Sequence, residues 1–511
     1  MHIFLLALLP LAWAFQRPLV HFTPTRGWMN DPNGLFYDEK NSLWHMYYQY
    51  NPDHIVWSEP VYWGHATSKD LTQWHDHGAA LGSDNVQDGI FSGNIVVDRN
   101  NTSGFFNSSV DPELRIVAIY TLNTPEEQTQ DIAYSLDGGY SFVKYAHNPV
   151  LSHNLTQFRD PKVFWHAPSS QWVMVVAMSQ QYKVQIYGSA DLKHWVLHSN
   201  FTLGVLGFQY ECPGLVEVPV ENSTDTRWVL FVAINPGLPL GGSANQYFVG
   251  DFDGFTFTPD DSQARFMDYG KDFYAYQVFD NVPKEHGVVG VAWASNWQYC
   301  AVVPATTWRS SMSLARNMTL ARRHVNPETE MLTLIQRPVL GSLVRRSNRH
   351  TGNVTVHTPL TFNSSATGVF EFDLTFKVKA QNCSTAQLQV LAGARVNGTL
   401  QLVRAGYDNA VTLFFADRAM DTEINKNPFF TDKTAAYVDP YAYDGEAPVF
   451  KMYGVVDGNV MEVHLNDGLG SMTNTFFLDG DAKPDFLELS STCPGMYSVE
   501  YSVAELTLDS T

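Results

Sequence analysis

The sequence predicts an all-β protein, a five-bladed β-propeller followed by a C-terminal β-sandwich. Three observations carry this. First, helical periodicity is nearly absent. Short β-branched and aromatic runs dominate, such as R-I-V-A-I-Y (115–120), W-V-M-V-V-A-M (172–178) and W-V-L-F-V-A-I (228–234), punctuated by Gly, Asn, Asp and Pro. Second, a turn-like element recurs at Asp70, Asp137, Asp191 and Asp253. In each, Leu or Gly follows the Asp, and an aromatic residue (Trp74, Phe142, Trp195, Phe257) stands four or five positions on. The spacing, roughly 55–65 residues, suits the four strands and turns of one propeller blade. Third, beyond residue 340 the chain changes to period-two alternation, as in V-F-E-F-D-L-T-F-K-V (369–378), Q-L-Q-V-L-A (387–392), M-E-V-H-L-N (461–466) and Y-S-V-E-Y-S-V (497–503). Such alternation marks strands with one buried face.

Taken in order, the chain opens with an apolar run from Ile3 to Leu11 that ends in Ala12-Trp13-Ala14. This reads as a secretory signal peptide, residues 1–14, cleaved after Ala14. The run is too short to cross a bilayer, and no other segment is long and apolar enough. Residues 15–340 have room for about five repeat units and form the expected propeller. The polar string R-R-S-N-R-H (345–350) places a linker at 341–352, and residues 353–511 form the expected sandwich. The stretch around Glu423 breaks the alternation and reads as a long surface loop.

A chain of 511 residues exceeds one ordinary core, in keeping with two domains. A net charge of −20, scattered along the chain, disfavours nucleic acid and anionic membranes as partners. Aromatic residues make up 14% of the chain, and sugar C–H faces pack on aromatic faces, so the surplus suits a carbohydrate binder. Eleven Asn residues precede x-Ser/Thr: Asn100, Asn101, Asn107, Asn154, Asn200, Asn222, Asn317, Asn353, Asn363, Asn382 and Asn397. That density argues for a secreted, extracellular or cell-wall-associated glycoprotein. The four cysteines are too few and scattered for a disulfide scaffold. Cys212 reads as a buried thiol, with a Cys383–Cys493 bridge as one alternative among the pairings. No Cys or His spacing points to a metal, and no cofactor is expected.

Three carboxylate strings carry the chemistry: W-M-N-D-P-N-G around Asp31, F-R-D-P-K around Asp160 and Y-E-C-P-G around Glu211. Each acid stands beside or one residue from a proline, which fixes φ and disfavours helix, so each should be held stiffly. One such string alone would be an ordinary turn. Three of them, at intervals of about one to two repeats, place acids on different blades that can converge on one axial pocket. Close carboxylates push one another's titrations apart, which supplies one ionised and one protonated group. That division is what glycoside cleavage uses.

The strings N-D-P-N-G, Q-Y-N-P (49–52), W-G-H-A (63–66), F-S-G (91–93), R-D-P-K and E-C-P occur in the order that resembles glycoside hydrolase family 32. Its finer texture, as in G-W-M-N-D-P-N-G-L-F-Y-D and I-F-S-G-N-I-V-V-D, is similar to the secreted yeast invertases of that family. The resemblance is strong over 22–316 and weaker beyond. It implies the same propeller and sandwich, and a β-fructofuranosidase that acts on sucrose and other β-fructosides. It implies that Asp31 is the nucleophile, that Glu211 is the general acid and then base, and that Asp160 bonds fructose hydroxyls. Around them, Asn30 and Gln49 are expected to bond sugar hydroxyls and Ser92 a further one. Trp57, Phe91 and Trp297 form apolar walls, Arg159 orients Glu211 or Asp160 and holds down their titration, and Asn235 lies on the leaving-group side.

The family usually continues F-S-G with Ser, whereas Asn94 stands here, and an amide there is a candidate for positioning a sugar acceptor. An exo-inulinase or a dedicated fructosyltransferase is the alternative enzyme reading. A non-catalytic sugar-binding protein would be expected to have lost an acid, and all three are present. A homo-oligomer with contacts through the sandwich is expected by analogy.

Overall fold

The structure is a computed structural model that describes residues 17–238, 241–326, 328–379 and 383–509. The expected signal peptide at 1–14 and the sequon at Asn382 lie outside the described residues. Among those residues the only helices are five single 3₁₀ turns. Five antiparallel sheets of four main strands follow one another, opening with Gly27–Asp38, Gly89–Val97, Phe158–His166, Tyr210–Pro219 and Tyr274–Val278. These five opening strands neighbour one another in cyclic order, the fifth returning to the first, so they are the inner strands of a closed five-bladed propeller. A short strand, Trp308–Arg309, pairs in parallel with Gly27–Trp28 at the inner edge of the first blade.

The sequence explains the blades. The strand Gln171–Met178 is a continuous apolar run because both its faces are covered. Val173 and Val175 face a core shared with Leu230, Val232 and Phe248 of the next blade. Trp172, Met174 and Val176 face a core shared with Val117 and Ile119 of the preceding one. Period two thus divides one strand between two inter-blade cores.

The recurring Asp does the same job four times. Asp70, Asp137, Asp191 and Asp253 each stand between the third and fourth strands of blades one to four. Each carboxylate accepts two successive backbone N–H groups, for example Thr72 and Gln73 on Asp70 and Lys193 and His194 on Asp191. This is an Asx turn, the local preference that makes Asp a turn residue.

The sandwich packs two sheets around Phe372, Leu374, Phe376, Leu388, Val390, Met452 and Val463. Two buried arginines lock it to the propeller. Arg316 of the fifth blade bonds Asp268 at 3.0 Å and, across the interface, Glu462 at 2.8 Å and Thr473 at 2.7 Å. Arg418 of the sandwich reaches back to Asp272 at 2.7 Å. Breaking such buried pairs from one side is costly, so they set how the domains meet.

Two expectations need correction. Residues 344–355 do not form a linker but an edge strand paired along its length with Tyr497–Leu508. Its polar sequence reflects a sheet edge that is exposed on both faces over most of residues 345–351 rather than a free tether. The stretch near Glu423 is not wholly a surface loop: Ile424 and Phe430 are buried against Tyr299 and Val303 of the propeller, and the Arg418 guanidinium lies over the Phe430 ring. Cys383 and Cys493 form a disulfide, and Cys212 and Cys300 are buried free thiols.

Candidate active site

The site is built where each inner strand breaks register. Irregularities fall at Met29/Pro32, Phe91/Gly93, Glu211/Gly214 and Tyr274/Gln277, and opposite Val175/Ala177 in the third blade. A bulge re-aims side chains that regular pleating would send into the blade cores. Prolines 32, 161 and 213 are tolerated there because an inner strand is a sheet edge. Asp160, Cys212 and Ala275 have φ of 66°, 46° and 53°, in the left-handed region that non-glycine residues rarely adopt. Three successive inner strands thus carry backbone strain at the same level, of order 1–3 kcal/mol per residue.

The bulges bring together Asp31, Ser92, Asp160, Glu211 and Tyr274, one from each inner strand. Asp31, Ser92, Asp160 and Glu211 line an open cavity of about 520 Å³ with Asn30, Gln49, Trp57, Phe91, Arg159, Asn235 and Trp297. The Asp31 carboxylate is held from three sides. Asn30 Nδ2 donates to Oδ1 at 3.2 Å, and Ser92 Oγ and Cys212 Sγ donate to Oδ2 at 3.0 and 3.3 Å. Ser92 therefore spends its proton on the acid. Burial pushes Asp31 up to about 6, reinforced by the charge of Glu211 and opposed by the three donors. Burial and the surrounding carboxylates push the Cys212 thiol well up, so it remains an S–H donor.

Asp160 accepts the Cys212 backbone N–H at 2.9 Å. Burial pushes its carboxyl up to about 7, against Arg159 and with Glu211 and Asp31. Arg159 was expected to hold Asp160 down; its nearest nitrogen is 3.9 Å from Asp160, and desolvation outweighs it. The guanidinium is spent on Glu211, whose Oε1 accepts from Nη2 at 2.9 Å, from Nε at 3.3 Å and from Gln209 Nε2 at 3.1 Å. The Tyr274 hydroxyl donates to Glu211 Oε2. Sequence reasoning missed Tyr274. Its signal was positional, an aromatic opening the fifth inner strand where the other blades carry their polar groups.

The remaining residues divide between wall and support. Trp57, 42% exposed, stands at the mouth with its ring 6.4 Å from Phe91. Trp297 lies against Trp28 and Trp293, and Trp28 Nε1 donates to Asn30 at 2.7 Å. Gln49 Nε2 bonds the Ile90 carbonyl at 2.9 Å. Asn94 does not reach the cavity. Its amide bonds Ile95 O, Val163 O and Val163 N, buried between the second and third inner strands. It ties two blades together and is no acceptor-side residue.

Comparison with known proteins agrees with this geometry. The N-terminal domain of glycosyl hydrolases family 32 matches residues 21–338, and the family's C-terminal domain matches 340–501. The chain is 59% identical over 499 residues to an extracellular exo-inulinase of Meyerozyma guilliermondii, covering 97% of this chain and 96% of that protein. It is 53% identical to an invertase of Debaryomyces hansenii, covering 95% and 92%. The solved β-fructofuranosidase of Schwanniomyces occidentalis, complexed with fructosyl-erythritol, superposes with a TM-score of 0.94 at 54% identity, covering 96% of this chain and 98% of that one. The chain belongs to glycosyl hydrolase family 32.

Proposed function

We propose that the protein is a secreted retaining β-fructofuranosidase that hydrolyses sucrose and short β-fructosides. The observation that carries this is the meeting of Asp31, Asp160 and Glu211, from three inner strands, in one open pocket. In the first step the Asp31 carboxylate attacks C2 of the fructosyl unit. The C2–O bond breaks, and Glu211 gives its proton to the departing oxygen, which leaves as glucose when the substrate is sucrose. Asp160 accepts hydrogen bonds from fructose hydroxyls as positive charge develops at C2. In the second step water attacks C2, Glu211 takes its proton, and Asp31 is released. A sugar hydroxyl in place of water gives transfer, favoured at high sucrose because acceptor occupancy rises while water activity falls. The test is chromatography of products from sucrose and from inulin at low and high concentration. Glucose and fructose in equal amounts from dilute sucrose support the reading; failure to release fructose would remove it. The exo-inulinase relative supports fructan ends as further substrates, and the inulin arm measures that preference.

Secretion is supported by the leader and by the extracellular relative. N-glycosylation is supported by sequons at exposed positions, among them Asn107, Asn154, Asn222, Asn363 and Asn397. Homo-oligomerisation through the sandwich is supported by its exposed Phe429, Tyr437 and Tyr443. Sedimentation of deglycosylated protein should show a dimer or larger at micromolar concentration, and a monomer alone would remove this part.

The rate should follow a bell with an acidic optimum. Asp31 must be ionised to attack, and burial raises its carboxyl above the ordinary aspartate value. The rate is therefore lost as pH falls through that raised value, and lost again at higher pH as the acid gives up its proton. A rate rising steadily through pH 8 would exclude this pair of roles.

A further inference from the structure

Behind Arg159, on the side away from Glu211, runs a second set of polar contacts that the reaction as described does not use. Arg159 Nη1 donates to Gln128 Oε1 at 3.2 Å. Gln128 Nε2 donates to Asn123 Oδ1 at 3.0 Å, and Asn123 Nδ2 donates to Glu59 Oε1 at 2.7 Å. The direction of this chain is dictated by chemistry. The backbone N–H of Phe158 and the guanidinium can only donate, and both meet Gln128 Oε1. Its amide nitrogen must then face Asn123, whose oxygen must accept, which leaves the Asn123 nitrogen for the Glu59 carboxylate. Two amide dipoles are thus aligned head to tail between a cation and an anion.

Glu59 and Asn123 lie in the pocket wall, and Gln128 is buried. Glu59, Asn123, Gln128 and Arg159 come from the loop before the first blade's third strand, from the second strand and the third strand of the second blade, and from the inner strand of the third blade. Asn123 and Gln128 are paired by one hairpin, but nothing local requires the alignment to run on to Glu59 and Arg159.

We propose that Gln128, Asn123 and Glu59 are positioning residues that share the Arg159 guanidinium with Glu211 and so set the pH at which Glu211 gives up its proton. This rests on the roles proposed above. The physical problem is that an unshared guanidinium against the general acid favours its ionised form, which cannot protonate a leaving group. Gln157 Oε1 also accepts from Nη1, at 2.7 Å, but it ends there. The Gln128 chain ends in a carboxylate. Burial raises the Glu59 carboxyl above its ordinary value, so it is on the alkaline limb, where Glu59 is ionised, that the aligned dipoles and its charge draw the guanidinium's field away from Glu211. The other groups facing Glu211 are Asp31, Asp160, Cys212 and Tyr274, and Asp88 is the charged neighbour of Glu59. None of these is altered by changing the chain.

The experiment is the pH profile of kcat/KM on sucrose for Glu59→Gln, Gln128→Ala, Gln128→Glu and the double variant Glu59→Gln/Gln128→Ala. Glu59→Gln removes the terminal charge at a half-buried position where folding is not at stake. Its alkaline limb should move to lower pH by about half a unit, a loss of roughly threefold in rate on that limb, with KM little changed. Gln128→Ala should move it the same way. Gln128→Glu keeps the acceptor and adds a negative charge, so it should move the limb upward. In the Gln128→Ala background the further effect of Glu59→Gln should vanish, because the chain is already cut. Limbs that coincide with wild type in Glu59→Gln, or effects of the two changes that simply add, would overturn the proposal. A wild-type protein without sucrose turnover would instead overturn the functional reading beneath it.

Discussion

Asp31→Ala should lower kcat on sucrose by at least about 10⁴-fold, a loss of roughly 5 kcal/mol of transition-state stabilisation. Without this carboxylate no covalent fructosyl intermediate forms, and neither Asn30, Ser92 nor Cys212, which now only orient it, can replace it. The fold should survive, and the stability change has a sign. Burial holds the Asp31 carboxyl above its unfolded value of 3.8, up to about 6. The folded protein therefore binds that proton more tightly than the unfolded chain, and stability falls as pH rises from 3.8 through 6. A shift of that size corresponds to on the order of 3 kcal/mol once ionisation is complete. The isosteric Asp31→Asn should thus melt higher than wild type at pH 7, with the difference closing below pH 4. Measured sucrose cleavage near wild-type rates in Asp31→Ala, with the fold intact by circular dichroism, would disprove the assignment.

Glu211→Ala should cost about 10³-fold on sucrose. The loss in kcat/KM should be much smaller on a fructoside whose leaving group departs without a proton, because the first step then needs no acid. Water activation in the second step still needs the base, so the fructosyl-enzyme should accumulate and be visible as added mass on the protein. Equal losses on both substrates would show that Glu211 binds rather than transfers protons. The ion pair to Arg159 also predicts a structural cost: the variant leaves a buried guanidinium with only Gln157, Gln128 and a more distant Asp160.

Much of the site was legible because its parts are locally encoded. Each acid is embedded in its own short string, and each string opens or sits within an inner strand. The Asx turns at Asp70, Asp137, Asp191 and Asp253 announced the blades, since a carboxylate that accepts two nearby backbone N–H groups forms the same turn wherever it occurs. What failed was reading position from composition. The polar 345–350 string looked like a tether because an exposed edge strand has the same polarity. Asn94 looked like a pocket residue because it stands directly after the F-S-G string where the family usually has Ser, yet the bulge between Phe91 and Gly93 turns it into the seam between blades.

By itself, the sequence determined the all-β class, the blade repeat, the family, and which carboxylates to look for in one pocket, because these depend on residue type, spacing and turn preference within a few positions. Only the tertiary structure decided that Arg159 spends its charge on Glu211, that Tyr274 completes the ring of inner strands, and that Gln128 and Asn123 join Arg159 to Glu59. Apart from the Gln128–Asn123 bond, which belongs to one hairpin, those contacts form between segments tens of residues apart, and their geometry exists only after five twisted sheets have closed on a common axis.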